Sequence, residues 1–392
     1  MLAQPSLENL VRTRRIVVCV GSGGVGKTTT AASLGLSGAR AGKKTLVLTI
    51  DPAKRLAQAL GMPHIGHAAE QVAADKLAAV LGGEVKGTLD ALMLDQKRAF
   101  DEIVERYTQD AAQRERIFKN RIYQQISSSL AGSHEYAAMS KLHEIANQKQ
   151  YDLIVLDTPP VQNALDFLEA PERVTAAIDS PAIEWLVRPY LAAGHFSLKA
   201  LGVGASFVLG RLGRFVGSQF LEEMAQFFVE FNAILGGFRE RAREVFNLLR
   251  SNDATFVLVS SAEAPAIDEV LAFSERLRLT HMSLGGCVVN RVHERLPPQL
   301  SRQELIDELS ARPELRGFSL DDIVQVAADL DRTAREFSLL AESDEKQIAR
   351  LVRGDVPLVR VPYLDTDIGD VAALGTIVRC LMGDPKSVTR LE

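Results

Sequence analysis

Short apolar runs alternate along the chain with longer stretches of helical periodicity. The runs fall at Ile16 to Val20, Thr45 to Ile50, Leu153 to Leu156, Phe256 to Val259, Cys287 to Val289 and Val356 to Val361. Most are apolar at successive positions, the pattern of strands covered on both faces. Helical patterns lie between them, so the predicted fold class is α/β, a mostly parallel sheet flanked by crossover helices.

Two intervals between strands, about 53–151 and 161–253, are too long for simple crossovers and too periodic for loops. They predict helical insertions over about 86–148 and 165–250, together an α-helical subdomain on a single domain spanning 1–392. A polar stretch from Arg291 to Asp355 carries Pro297-Pro298 and then helices ending near Leu351. In the second insertion Phe220, Met224, Phe227, Phe228, Phe231 and Leu235 share one helical face, with Glu222, Glu223, Gln226 and Glu230 largely elsewhere. Before it, Ala200 to Gly210 is uncharged and, like the residues up to Gly217, punctuated by glycine, which fixes a helix poorly. The stripe either packs inside the subdomain or against a partner, or it faces outward to a ligand; Trp185, Pro189 and Tyr190 are equally open.

The most informative segment is Gly21-Ser22-Gly23-Gly24-Val25-Gly26-Lys27-Thr28-Thr29. A strand precedes it and an Ala-, Leu- and Thr-rich helical stretch to Ala41 follows, the order a P-loop requires. Glycines let backbone N–H groups turn toward phosphate oxygens, and the helix N-terminus adds donors and a favourable dipole. Gly23, Gly24, Val25, Gly26, Lys27, Thr28 and Thr29 are the candidate nucleotide-binding residues. Lys27 would contact the β- and γ-phosphates and the Thr28 hydroxyl would hold Mg²⁺.

Three further strand ends add chemistry. Asp51 follows the second strand, where ligands of open α/β sheets bind, and is the candidate to orient an attacking water; capping the helix that starts near Pro52 is the other reading. Asp157 ends Leu153-Ile154-Val155-Leu156, the form of a Walker B strand whose carboxylate holds Mg²⁺. Asn290 ends Cys287-Val288-Val289, and its amide offers a donor and an acceptor to the edge of adenine, although Asn also ends strands in turns. Pro362 and Tyr363 end the last strand at the same edge and are candidate base contacts.

Composition narrows the classes. With 392 residues, 46% hydrophobic and 24% charged, the chain suits a large core, and a net charge of -5 gives no general pull toward nucleic acid. No stretch reaches the roughly 20 apolar residues of a membrane span, and the first residues lack a signal-peptide core. The expectation is a soluble, cytoplasmic protein. Cys19, Cys287 and Cys380 lie far apart and read as small buried hydrophobes, and His134, His143 and His195 as structural or solvated.

With these elements in order the chain resembles the ArsA-type ATPases, the family of arsenite-pump ATPases and of the targeting factor for tail-anchored membrane proteins. Gly21 to Thr30, Thr49 to Leu56, Asp157 to Pro160 with Ala164-Leu165, and Val288 to Asn290 carry the resemblance. It implies an ATP- and Mg²⁺-dependent dimeric switch with two nucleotide sites facing each other, in which Asp51 activates water, Asp157 completes the metal shell and Asn290 reads adenine. In targeting relatives the helical insertions line a groove for a hydrophobic client helix.

Two departures matter. Relatives carry a signature lysine one position after the first P-loop glycine, reaching into the partner's site; here that position is Ser22. A cation supplied in trans is worth roughly 10³ to 10⁵ in rate, so a homodimer should hydrolyse ATP slowly. The sequence also resembles the lysine-lacking member of paired bacterial ATPases, through Asp51 to Leu56 and Ser129 to Tyr136, which implies a heterodimer with a lysine-bearing paralogue. The other departure is the missing C-x-x-C of zinc-clasped relatives and of the clustered thiols arsenite needs, so neither zinc nor arsenite is expected. The alternative to an ATPase switch is a weakly active regulatory nucleotide-binding subunit of a heteromeric complex.

Overall fold

The computed structural model describes residues 6–50, 55–129, 133–158, 218–295, 300–351, 356–364 and 371–383. Its strands are β1 (Ile16–Val20), β2 (Lys44–Thr49), β3 (Glu70–Gln71), β4 (Thr88–Met93), β5 (Leu153–Asp157), β6 (Ala254–Ser261), β7 (Leu284–Val292) and β8 (Leu358–Pro362). They form one sheet in the order β3-β4-β2-β5-β1-β6-β7-β8. Only β3 runs antiparallel to its neighbour.

Strand alternation divides the apolar side chains between two layers. Ile16, Val18, Val20, Leu46, Leu48, Ile154 and Leu156 enter one core. Val17, Cys19, Val47, Leu153 and Val155 enter the other, against α1 (Glu8–Thr13), α2 (Lys27–Arg40), α3 (Arg55–Ala59), α4 (Ala74–Leu81) and α13 (Val371–Leu381). Covered on both faces, the central strands need no polar side, which is why they read as continuous apolar runs. The result is the expected α/β architecture, a mostly parallel sheet between helical layers.

The first core continues into α5 (Gln96–Tyr107), α6 (Ala111–Lys119), α7 (Arg121–Ser129), α8 (Ser133–Gln148) and α9 (Ser218–Arg250). Asp95 and Asp110 start α5 and α6 by accepting from the amides of Arg98 and Ala112. The interval 53–151 is not wholly helical: β3, α4 and β4 occupy its first part, and helices of the insertion begin at Gln96 rather than near 86. In β4, Leu89 and Ala91 face one core and Leu92 the other. That two-sided burial depends on pairing with β2, a tertiary contact the local pattern does not carry.

Of the apolar stripe, Phe227 and Phe231 are interior, their rings stacked 4.9 Å apart with Tyr123 beside Phe227. Met224 is half-buried, and the side chains of Phe220, Phe228 and Leu235 lie outside the described residues, as do Ala200 to Gly217, Trp185, Pro189, Tyr190, His195, Pro297-Pro298 and the His134 side chain. Glu230 differs from its expected polar setting: it is buried, taking Arg116 Nε at 2.5 Å and Nη2 at 3.2 Å. Covered by α6, it is tolerable there because Arg116 neutralises it. Cys19, Cys287 and Cys380 are buried as expected. No described helix is long and apolar enough to cross a membrane.

His143 on α8 is buried between layers, and its Nδ1 accepts from Arg241 Nη1 on α9. Only a neutral ring can accept there. Burial pushes its pKa down; the Glu244 carboxylate partly opposes this and Arg106 adds to it. The unfolded chain therefore takes up this proton first, near pH 6.5, and the neutral-histidine contribution to stability is lost as pH falls through that value toward the lower folded pKa. Thermal melts from pH 7.5 to 5 should show a steeper acid-side decline for the parent chain than for His143→Gln; equal slopes would contradict the assignment.

Candidate functional site

Gly21 to Gly26 leaves β1 at the sheet's carboxyl edge and feeds directly into α2. At Gly21 an added Cβ would stand 2.0 Å from the Val259 carbonyl oxygen of β6. Gly26 caps α2 at φ 92°, in the left-handed region, where a Cβ would stand 2.5 Å from Asn290 Nδ2. Both places require glycine for space, and the second also for conformation.

Gly26 has no side chain with which to cap α2; the first-turn N–H groups of a helix have no intrahelical acceptor, so this end is set for an anion. Gly23 and Gly24 are exposed, Thr28 and Thr29 half-exposed, and Val25 buried. Lys27 is only 6% exposed, and its Nζ donates to the Ser22 carbonyl at 2.6 Å, folding back over the loop. Ser22 Oγ donates to Glu269 Oε2 of α10 (Ala264–Leu279) at 2.5 Å.

Register brings the acidic strand end to the same place. Asp157 pairs with Cys19 of β1 on one side and Thr49 of β2 on the other. It is fully buried, and Thr49 Oγ1 donates to its Oδ2 at 2.9 Å. Thr158 Oγ1 closes the turn on the Cys19 carbonyl at 2.8 Å. The Cys19 thiol is pushed well above its usual range by burial and then by the Asp157 carboxylate, with Lys27 opposing; it is no nucleophile. Asp51 lies outside the described residues, as do Pro52 to Lys54, Pro159, Pro160, Ala164, Leu165 and Leu130 to Gly132.

Asn290 on β7 reaches the loop from the other side. It is buried, with Nδ2 donating to the Val25 carbonyl at 2.7 Å and toward Thr30 Oγ1 at 3.5 Å. Pro362 pairs with Val292, and the Tyr363 amide donates to the Val292 carbonyl at 3.0 Å. The exposed Tyr363 ring stacks on His293, 5.7 Å between centroids and 11° from parallel. Lys27 and Asn290 touch the glycine loop and Asp157 ends the neighbouring strand, while Pro362 and Tyr363 lie farther along the same sheet edge at the end of β8.

Sequence reading passed over three groups here. Arg291 Nη2 donates to the Gly24 carbonyl at 3.1 Å, Thr49 holds Asp157, and Glu269 holds Ser22. Arg291 and Thr49 adjoin candidate residues at strand ends, a signal available in the chain; Glu269 lies mid-helix and carried none. A nucleotide with Mg²⁺ fits this donor set: uncapped amides and a lysine for phosphate, a hydroxyl and a buried carboxylate for the metal. Among the described residues no group of three or more His, Cys, Asp or Glu could hold a metal alone.

Comparison with known proteins agrees. The family model described as anion-transporting ATPase matches residues 14–325. The chain is 26% identical over 336 residues to "ATPase get3" of Aspergillus terreus, covering 84% of this chain and 87% of that one. It is 25% identical over 333 residues to "ATPase get3" of Aspergillus niger, with the same coverage. An uncharacterized protein of Streptomyces coelicolor is 34% identical over 164 residues, 42% of this chain and 39% of that one. With the glycine loop, the buried Asp157 and a family match across most of its length, the chain belongs to the anion-transporting ATPase family.

Proposed function

We propose that the protein is an Mg-ATP-dependent ATPase switch. The observation that carries this reading is the meeting of an uncapped helix N-terminus, a buried lysine and a buried carboxylate at adjacent strand ends. The amides of residues 23–29 would receive phosphate oxygens, with Lys27 released from the Ser22 carbonyl to bridge the outer phosphates. Thr28 and Asp157 would hold Mg²⁺, which supplies charge neutralisation at the phosphates when bound. Thr49 fixes the orientation of Asp157 in advance, so little reorganisation is needed.

Asp51 is assigned to orient the attacking water. Asn290 Nδ2 is committed to the loop, which leaves Oδ1 to accept from the exocyclic amine of adenine. Pro362 and Tyr363 would flank the base. ATP closing a dimer and hydrolysis reopening it would change exposure of the helical subdomain, where a hydrophobic client could bind.

Ser22 favours a second reading, a slow regulatory subunit. Its hydroxyl is engaged with Glu269 of its own chain and carries no charge to offer a neighbouring site. A homodimer would then turn over slowly. A heterodimer with a signature-lysine-bearing paralogue would complete this chain's site and deprive the partner's.

Calorimetry should detect Mg-ATP binding to the parent chain and little or none to Lys27→Ala; heat from both alike would remove Lys27 from the site. Asp51→Asn should keep ATP affinity while lowering single-turnover hydrolysis by roughly 10²- to 10⁴-fold, the span of general-base contributions; an unchanged rate would reassign Asp51 to helix capping. Co-expression with the genomic neighbour should yield a mixed complex by mass measurement with faster turnover than either chain alone. Absence of a mixed complex would leave the homodimer.

A further inference from the structure

Between β7 and β8 the chain leaves the sheet and returns as a two-helix arm, α11 (Arg302–Ala311) and α12 (Leu320–Ala349). Both helices start with a capping box, Ser301 with Glu304 and Ser319 with Asp322. The base is fixed to the core: Ala341, Asp344 and Ile348 are buried, Asp344 Oδ2 accepts from the His293 amide and Nδ1 at 2.9 Å each, and Arg360 and Arg350 pair with Glu345 and Asp268. At the far end Ile323 and Ala327 are buried, with α11 packed alongside. At 1.5 Å per residue α12 is about 45 Å long and α11 about 15 Å, so α11 cannot cover the middle of its partner.

That middle is apolar. Val326, Leu330, Thr333, Phe337 and Leu340 follow one another at steps of four, three, four and three, the spacing of a helix-packing seam. Phe337 is half-buried, its ring edge-on to His293 at 5.2 Å, so the exposed apolar positions are Val326, Leu330 and Leu340. Val326, Leu330 and Leu340 are 41%, 46% and 47% exposed. A seam of this period fits another helix better than a flat surface.

Charge decides which helix. Beside the seam on one side stand Glu336 and Asp329, the latter paired with Arg332 Nη2 at 3.0 Å; on the other stand the buried Ala327 and Ala341 and the half-buried Ala334. Residues 301–350 hold twelve acidic and seven basic side chains, an excess equal to the net charge of -5 of the whole chain. Two copies of this arm would repel one another. We infer that the exposed seam of α12 is a docking surface for an amphipathic helix of another protein whose apolar stripe is flanked by Lys or Arg.

The test uses the full chain and two synthetic helical peptides of about three heptads, identical in apolar stripe and flanked by lysine in one and glutamate in the other. Fluorescence anisotropy should show the lysine-flanked peptide binding at least tenfold more tightly, and more weakly as salt rises. Leu330→Glu with Leu340→Glu should reduce that affinity at least tenfold without shifting Tm, since both side chains are exposed. Asp329→Lys with Glu336→Lys should transfer preference to the glutamate-flanked peptide, an outcome that misfolding cannot imitate. Binding of neither peptide, equal binding of both, or an unmoved preference after charge reversal would overturn the inference. So would a self-associated parent chain whose mass falls to that of a monomer in the double glutamate variant.

Discussion

Gly26, held in the left-handed region against the Asn290 amide, sets the direction in which α2 begins. From that follows where its first N–H groups point, because a helix aims its unpaired donors along its axis. The Asn290 bond to the Val25 carbonyl ties the loop to the end of β7. Left without an acceptor, donors of this kind are expensive to hold, on the order of 1–3 kcal/mol each when buried. A helix start with glycine as its cap and no side-chain partner is therefore stable only open to water or closed on an anion.

The second half of the site follows from sheet register. β5 lies between β1 and β2, so the carboxylate at its end emerges level with Cys19 and Thr49 rather than at the surface. A buried carboxylate needs compensation. The Thr49 hydroxyl supplies part of it, and Lys27 and Asp157 act together on Cys19 with opposite sign. In the proposed ATPase reading this carboxylate would share a divalent cation with the bound phosphates.

Legibility in the chain divided along the same physical lines. The glycine loop was readable because one contiguous segment carries it, glycines followed by Lys27 and Thr28 between a strand and a helix, although the crowding that demands glycine at Gly21 and Gly26 comes from β6 and β7. The central strands were readable because burial on both faces leaves uninterrupted apolar runs. β4 was not, since Leu89, Ala91 and Leu92 become core only once β2 is alongside. Glu230 looked solvated because its compensating partner, Arg116, lies on a different helix. The contacts from Ser22 to Glu269 and from His293 to Asp344 span wide sequence intervals and leave no pattern in either segment.

We propose that the backbone from residue 23 to residue 29 encloses the phosphates of Mg-ATP. Amide hydrogen exchange, residue by residue with and without saturating Mg-ATP, tests this most directly. Exchange at Gly24 to Thr29 should slow by at least tenfold, with smaller effects at Asn290 and Asp157. Unchanged exchange across the loop, or protection appearing only elsewhere, would contradict the account.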